Sequence, residues 1–65
     1  MWVIKLTDGS YYIGMSHKHN FFEITFELDR RVKTYATKAA CEKDIARLHE
    51  RFVHFDGYPV EVLGV

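Results

Sequence analysis

Sixty-five residues, 48% apolar and 28% charged, are enough for one domain but not for a core plus a deep cleft. A chain this short buries only about 60% of the surface its unfolded form exposes. Nine basic residues balance nine acidic ones, which excludes a global field drawing the chain to nucleic acid or an anionic membrane, and a lone cysteine, Cys41, excludes a disulfide framework.

Trp2, Ile4 and Leu6 alternate with Val3, Lys5 and Thr7, the period of a half-buried strand. The run ends at Leu6, too short for a signal peptide or a membrane span, and together with the single thiol this predicts a cytoplasmic protein. Asp8-Gly9 is a hairpin signal for a type I′ turn, in which both central residues need positive φ. A two-residue loop there sets Thr7 opposite Ser10, Leu6 opposite Tyr11, Ile4 opposite Ile13 and Trp2 opposite Met15, so that one face is wholly apolar or aromatic. Residues 16–20 are polar and read as a loop. Phe22, Ile24, Phe26 and Leu28 then alternate with Phe21, Glu23, Thr25 and Glu27, which predicts a long third strand. A turn at Asp29-Arg30-Arg31 leads to a short fourth strand over 32–36.

Thr37 is a good N-cap, because its hydroxyl can accept from an orphan amide of the first helical turn. Cys41, Ile45, Leu48 and Phe52 follow at helical spacing and form one apolar stripe. Lys38, Glu42, Lys43, Arg47, Glu50 and Arg51 take the other faces of a helix over 38–53. This helix is expected on the Trp2/Ile4/Phe22 side of the sheet. Asp56-Gly57 ends the segment, Pro59 keeps the following stretch off a central position, and Val60 and Val62 supply a last strand. The fold class is α+β over 1–65 as a single domain: an antiparallel four- to five-stranded sheet with one amphipathic helix packed on one face, order β-β-β-β-α-β.

No set of residues points to catalysis. His17 and His19 would share a side if their segment were extended, but no third ligand has a recognisable spacing, so a solvated turn without metal is the expectation. Cys41 falls on the apolar stripe, where a thiol is inert packing rather than a nucleophile. The chain is therefore read as non-enzymatic and free of cofactors. Arg30, Arg31 and Lys33 form a local basic cluster, and Tyr12, Phe21 and Tyr35 are expected on the sheet face away from the helix. Tyr, Phe and Arg are the types enriched at interaction hot spots, and these six positions together predict a protein-binding surface. An open face and two edges also invite a homodimer or strand addition by a partner. A second reading stacks nucleic-acid bases on the same aromatics, against which stand Glu23, Glu27 and the zero net charge. Moving the Asp29 turn by one or two residues would reverse which of Val32, Thr34 and Tyr35 point inward.

From Val32 to Ala40 the sequence Val-Lys-Thr-Tyr-Ala-Thr-Lys-Ala-Ala resembles small accessory proteins of phages and prophages, in which a strand ending in an aromatic residue meets a capped, alanine-rich helix start. The opening Trp2-Val3-Ile4 and the closing Val60-Glu61-Val62 match the same outline. The resemblance implies an accessory role, binding and inhibiting or redirecting a host protein, as anti-CRISPR proteins of this size do. It transfers no functional residues, and the neutral charge departs from the acidic inhibitors that mimic DNA.

Overall fold

Val3 and Ile4, neighbours that point to opposite faces of one strand, are both fully buried, and the sheet is built around that strand. The computed structural model describes residues 1–64. Its elements follow the predicted order: β1 (Trp2–Lys5), β2 (Tyr11–Met15), β3 (Phe22–Thr25), β4 (Thr34–Tyr35), α1 (Lys38–Arg51) and β5 (Tyr58–Glu61). All pairings are antiparallel, running β3-β2-β1-β4, with β5 also beside β1. β5 lines the whole of β1, from Trp2 opposite Glu61 to Lys5 opposite Tyr58, and Pro59 sits in this edge strand as its missing N–H requires. The other edge of β1 is shared, since β2 pairs at Lys5 and β4 pairs at Trp2 and Val3. Where β2 leaves β1, the Lys33 amide donates to the Tyr12 carbonyl at 3.1 Å and closes the wedge.

The first hairpin has a different register from the two-residue turn. Lys5, not Leu6, faces Tyr11. The Leu6 amide donates to the Ser10 carbonyl and the Gly9 amide to the Leu6 carbonyl, so the loop holds three residues, Thr7-Asp8-Gly9. Only Gly9 takes a positive φ, +92°, as in a type I turn closed by a glycine bulge. Asp8 favours this form by accepting from the Ser10 amide (2.9 Å) and hydroxyl (2.5 Å), bonds that also hold its carboxyl below the ordinary carboxylate range. The one-residue shift reverses the faces of β2. Tyr12, expected on the open face, is 1% exposed in the core. A second irregularity lies between Tyr12 and Gly14, whose φ is +137°. This bulge lets Tyr12 and Met15, three apart, both turn toward the core.

β3 stops at Thr25, shorter than its alternating pattern implies. Thr25 Oγ1 accepts from the Glu27 amide at 3.3 Å and from Arg31 at 2.8 Å, and the chain bends away there, leaving Phe26 and Leu28 exposed. Val32 is buried and β4 keeps only Thr34 and Tyr35 of the longer strand expected.

Thr37 caps α1 by accepting from the Ala40 amide at 3.1 Å. Cys41 and Leu48 are buried, and Ile45 and Phe52 are packed against the core, so the predicted stripe is the contact face. The helix ends at Arg51 rather than 53. Phe52 turns extended while its amide still reaches the Leu48 carbonyl at 2.7 Å. Ile4, Leu6, Tyr12, Cys41, Leu48 and Phe55 form the core. The Cys41 thiol donates to the Val3 carbonyl at 3.6 Å. Among the described residues no helix is long and apolar enough to cross a membrane.

Gly57 brings the backbone close to this core. A Cβ there would stand 2.5 Å from Ile4 Cγ2 and 2.6 and 2.8 Å from the ring carbons of Phe55, so these buried side chains or the backbone must shift. Gly57→Ala is expected to destabilise by about 1–3 kcal/mol through overpacking, read as a lowered midpoint in urea unfolding. An unchanged midpoint would show that the entry to β5 can slide without loss.

Candidate interaction surfaces

The six residues singled out in the sequence do not share one face. Tyr12 packs edge-on against Phe55, ring centroids 6.1 Å apart, inside the core. Tyr35 turns toward α1, half-buried, and its hydroxyl donates to the Asp44 carboxylate. Its predicted place on a face open to partners is therefore corrected, and the cause is the pairing with β1, which sets Tyr35 opposite Trp2. Lys33 lies nearby, its ammonium 3.5 Å from Asp44 and over the Tyr35 ring. Arg31 is tied to Asp29 by bonds of 2.8–3.2 Å and to Thr25, so it latches the loop after β3. Arg30 is exposed. Phe21 is 55% exposed and stacks on Phe22 at 4.6 Å and edge-on against Phe52 at 5.3 Å.

Sheet pairing assigns the outer face to other aromatics. Lys5 stands opposite both Tyr11 and Tyr58, which puts the three side chains in one row on the side away from Ile4. The Lys5 ammonium rests over the Tyr11 ring at 5.4 Å. The sequence signal for this row was the Asp8-Gly9 loop length, since a three-residue loop exchanges Tyr12 for Tyr11.

The second surface is the free edge of the sheet. β3 pairs with β2 on one side only. Along it and just beyond, Phe21, Ile24, Phe26 and Leu28 are all exposed, Phe26 at 66%. Single exposed apolar side chains are ordinary, but four within eight consecutive residues, on an unpaired edge strand and its two flanks, are not.

A third region surrounds Asp44, which is buried on α1 yet charged. Burial pushes its carboxyl up, but the bonds from Tyr35 and Arg47 and the charge of Lys33 outweigh it, and the group sits below the ordinary carboxylate range. Arg47 reaches it through Nε at 3.1 Å while its side chain stays 70% exposed. The Tyr35 hydroxyl is pushed far above its normal range by burial and by Asp44 and stays protonated as a donor. Beside this cluster the flank of α1 borders two open depressions of about 590 and 400 Å³ that share Arg47 and Glu50.

Burial pushes the Cys41 thiol up to about 11, so it is an un-ionised packing group at neutral pH. His17 and His19 lie in a turn, His19 with φ of +55°, so the alternation that would set both rings on one side does not apply. Among the described residues no three of His, Cys, Asp and Glu gather as metal ligands would. No family model, curated protein or solved structure matches this chain.

Proposed function

We propose that the chain is a small non-enzymatic interaction module that takes an extended segment of a protein partner along the β3 edge, in an accessory role that inhibits or redirects that partner. The observation that carries this reading is the exposed apolar group formed by Ile24 on the β3 edge strand and by Phe21, Phe26 and Leu28 in the segments that flank it. Strand addition uses edge and side chains at once: the edge amides and carbonyls give affinity, and alternate side chains give specificity. Arg30, exposed just beyond, adds a charged rim. Stacking of nucleic-acid bases is disfavoured on this surface, because Tyr12 and Tyr35 face inward and Glu23 and Glu27 flank the edge.

Phe26→Asp tests the reading. The side chain is largely exposed, so stability should change by no more than about 0.5 kcal/mol, while recovery of the bound partner from nuclease-treated host lysate should fall at least about tenfold. A second copy of the chain is the other occupant of such an edge. Light scattering would then show a mass that rises with concentration for the native chain and not for Phe26→Asp. Recovery equal for both proteins, with no change in mass, would remove the β3 edge as the binding surface.

A further inference from the structure

Along one flank of α1, Lys43, Arg47 and Arg51 recur at every fourth residue, on the side that borders both depressions. At one end this flank meets Lys33 and Tyr35. At the other it meets Met15 and His19, where the Arg51 guanidinium donates to the His19 carbonyl. Arg47 and Glu50 line both depressions, so the two form one groove beside the helix. The chain as a whole is neutral, yet this groove gathers four cations, Lys33, Lys43, Arg47 and Arg51, against two carboxylates. One of these, Asp44, is already spent on Tyr35, Arg47 and Lys33. Lys43 has no hydrogen-bond or ion-pair partner among the described residues. The Asp44 ion pairs engage Lys33 and Arg47, so the groove carries two net positive charges, and a cleft of positive balance attracts an anionic group that enters it.

We infer that this groove binds an extended, acidic peptide segment of a partner protein, with carboxylates at alternate positions. Cations four residues apart on a helix are separated by about 6 Å along its axis. Side chains on one side of an extended strand repeat every ~6.6–6.8 Å. Three carboxylates on alternate residues thus fall in step with Lys43, Arg47 and Arg51. Met15, half-buried at the His19 end, adds apolar surface to the lining. Glu50, in the middle of the groove, can accept a peptide N–H but repels a carboxylate and a phosphate alike. The groove is separate from the β3 edge, and this inference does not depend on that reading.

The test is fluorescence anisotropy with a labelled eight-residue peptide carrying glutamate at alternate positions and leucine or alanine between, at two salt concentrations. Binding should weaken as salt rises and be absent for the same peptide with glutamine in place of glutamate. Lys43→Glu should weaken binding at least about tenfold, Lys43→Gln less, with thermal midpoints close to the native chain. Lys38→Glu makes the same change in net charge but alters a lysine that sits over Trp2 on the far side of α1, and should shift binding less than about twofold. Equal loss from Lys43→Glu and Lys38→Glu would overturn the site, because only net charge would then matter. No binding of the glutamate peptide, or its displacement by a single-stranded oligonucleotide at lower concentration, would overturn the peptide assignment.

Discussion

Truncating Tyr12 to alanine is expected to leave little folded protein at 25 °C. The side chain is 1% exposed, lies against Phe55 and belongs to the same core as Ile4, Leu6, Cys41 and Leu48. Removing a buried aromatic ring costs about 3–5 kcal/mol, and a single core in a chain of this size rarely supplies more than about 3–5 kcal/mol in total. Tyr12→Phe keeps the ring against Phe55 and should retain cooperative unfolding. Far-UV circular dichroism across a urea series separates the two variants. If Tyr12→Ala unfolded cooperatively near the native midpoint, the ring would have to be on the surface, and the three-residue hairpin loop would be wrong along with every face assignment in β2.

That experiment addresses the point at which local sequence signals and the folded chain part. Asp8-Gly9 does specify a hairpin, but the dipeptide suits two loops. In one, both residues take positive φ. In the other, only Gly9 does, and Asp8 is free to accept two bonds from Ser10. The choice between them moves pairing by one residue and exchanges Tyr11 with Tyr12 across the sheet. The bulge at Gly14 compounds the shift, since it inserts a residue that strict alternation does not count. β3 fails differently. Its alternation continues through Phe26 and Leu28 and predicts a long strand, but pairing ends at Thr25 and these side chains are exposed.

The helix was legible because its determinants are local. Thr37 supplies the cap within three residues, and the stripe from Cys41 to Phe52 is a property of one segment. Asp44 was not read as a site, although Cys41, Asp44 and Leu48 fall at spacings of three and four and so share the buried face. A carboxylate on that face implies a buried partner, but its identity depends on β4 docking beside α1. The predicted basic cluster dissolved for a related reason. Arg31 serves the loop through Asp29 and Thr25, while Lys33 joins Asp44 across the fold. Arg30 keeps the free exposure expected of it, whereas Phe21, exposed but resting on Phe22 and Phe52, lies at the end of α1 and not on the face away from the helix.

Asp44→Asn is expected to destabilise the chain by about 1–3 kcal/mol at pH 7, the cost of replacing a buried charged acceptor whose cationic partners, Arg47 and Lys33, stay exposed. The amide cannot accept from Tyr35, Arg47 and Lys33 together, and its nitrogen would face one of these donors. The effect should depend on pH in a defined direction. The folded Asp44 carboxyl lies below its ordinary value, because the Tyr35 and Arg47 bonds and the Lys33 charge overcome the upward push of burial. A depressed folded value means that the network's contribution is complete above the unfolded pKa of about 3.9 and is lost as pH falls through the folded one. The gap in urea midpoint between native chain and Asp44→Asn should therefore be constant from pH 7 to about 5 and narrow below about 4. Asp8 and Asp29 also titrate low, but they are present in both proteins and cancel in the difference. Tyr35→Phe removes one donor and should cost about 1–3 kcal/mol, and the double variant should cost less than the two losses added, since both act on one network. A gap that stayed constant down to pH 2.5, or strict additivity of the two substitutions, would show that Asp44 acts through packing and not as the charged acceptor that ties β4 to α1.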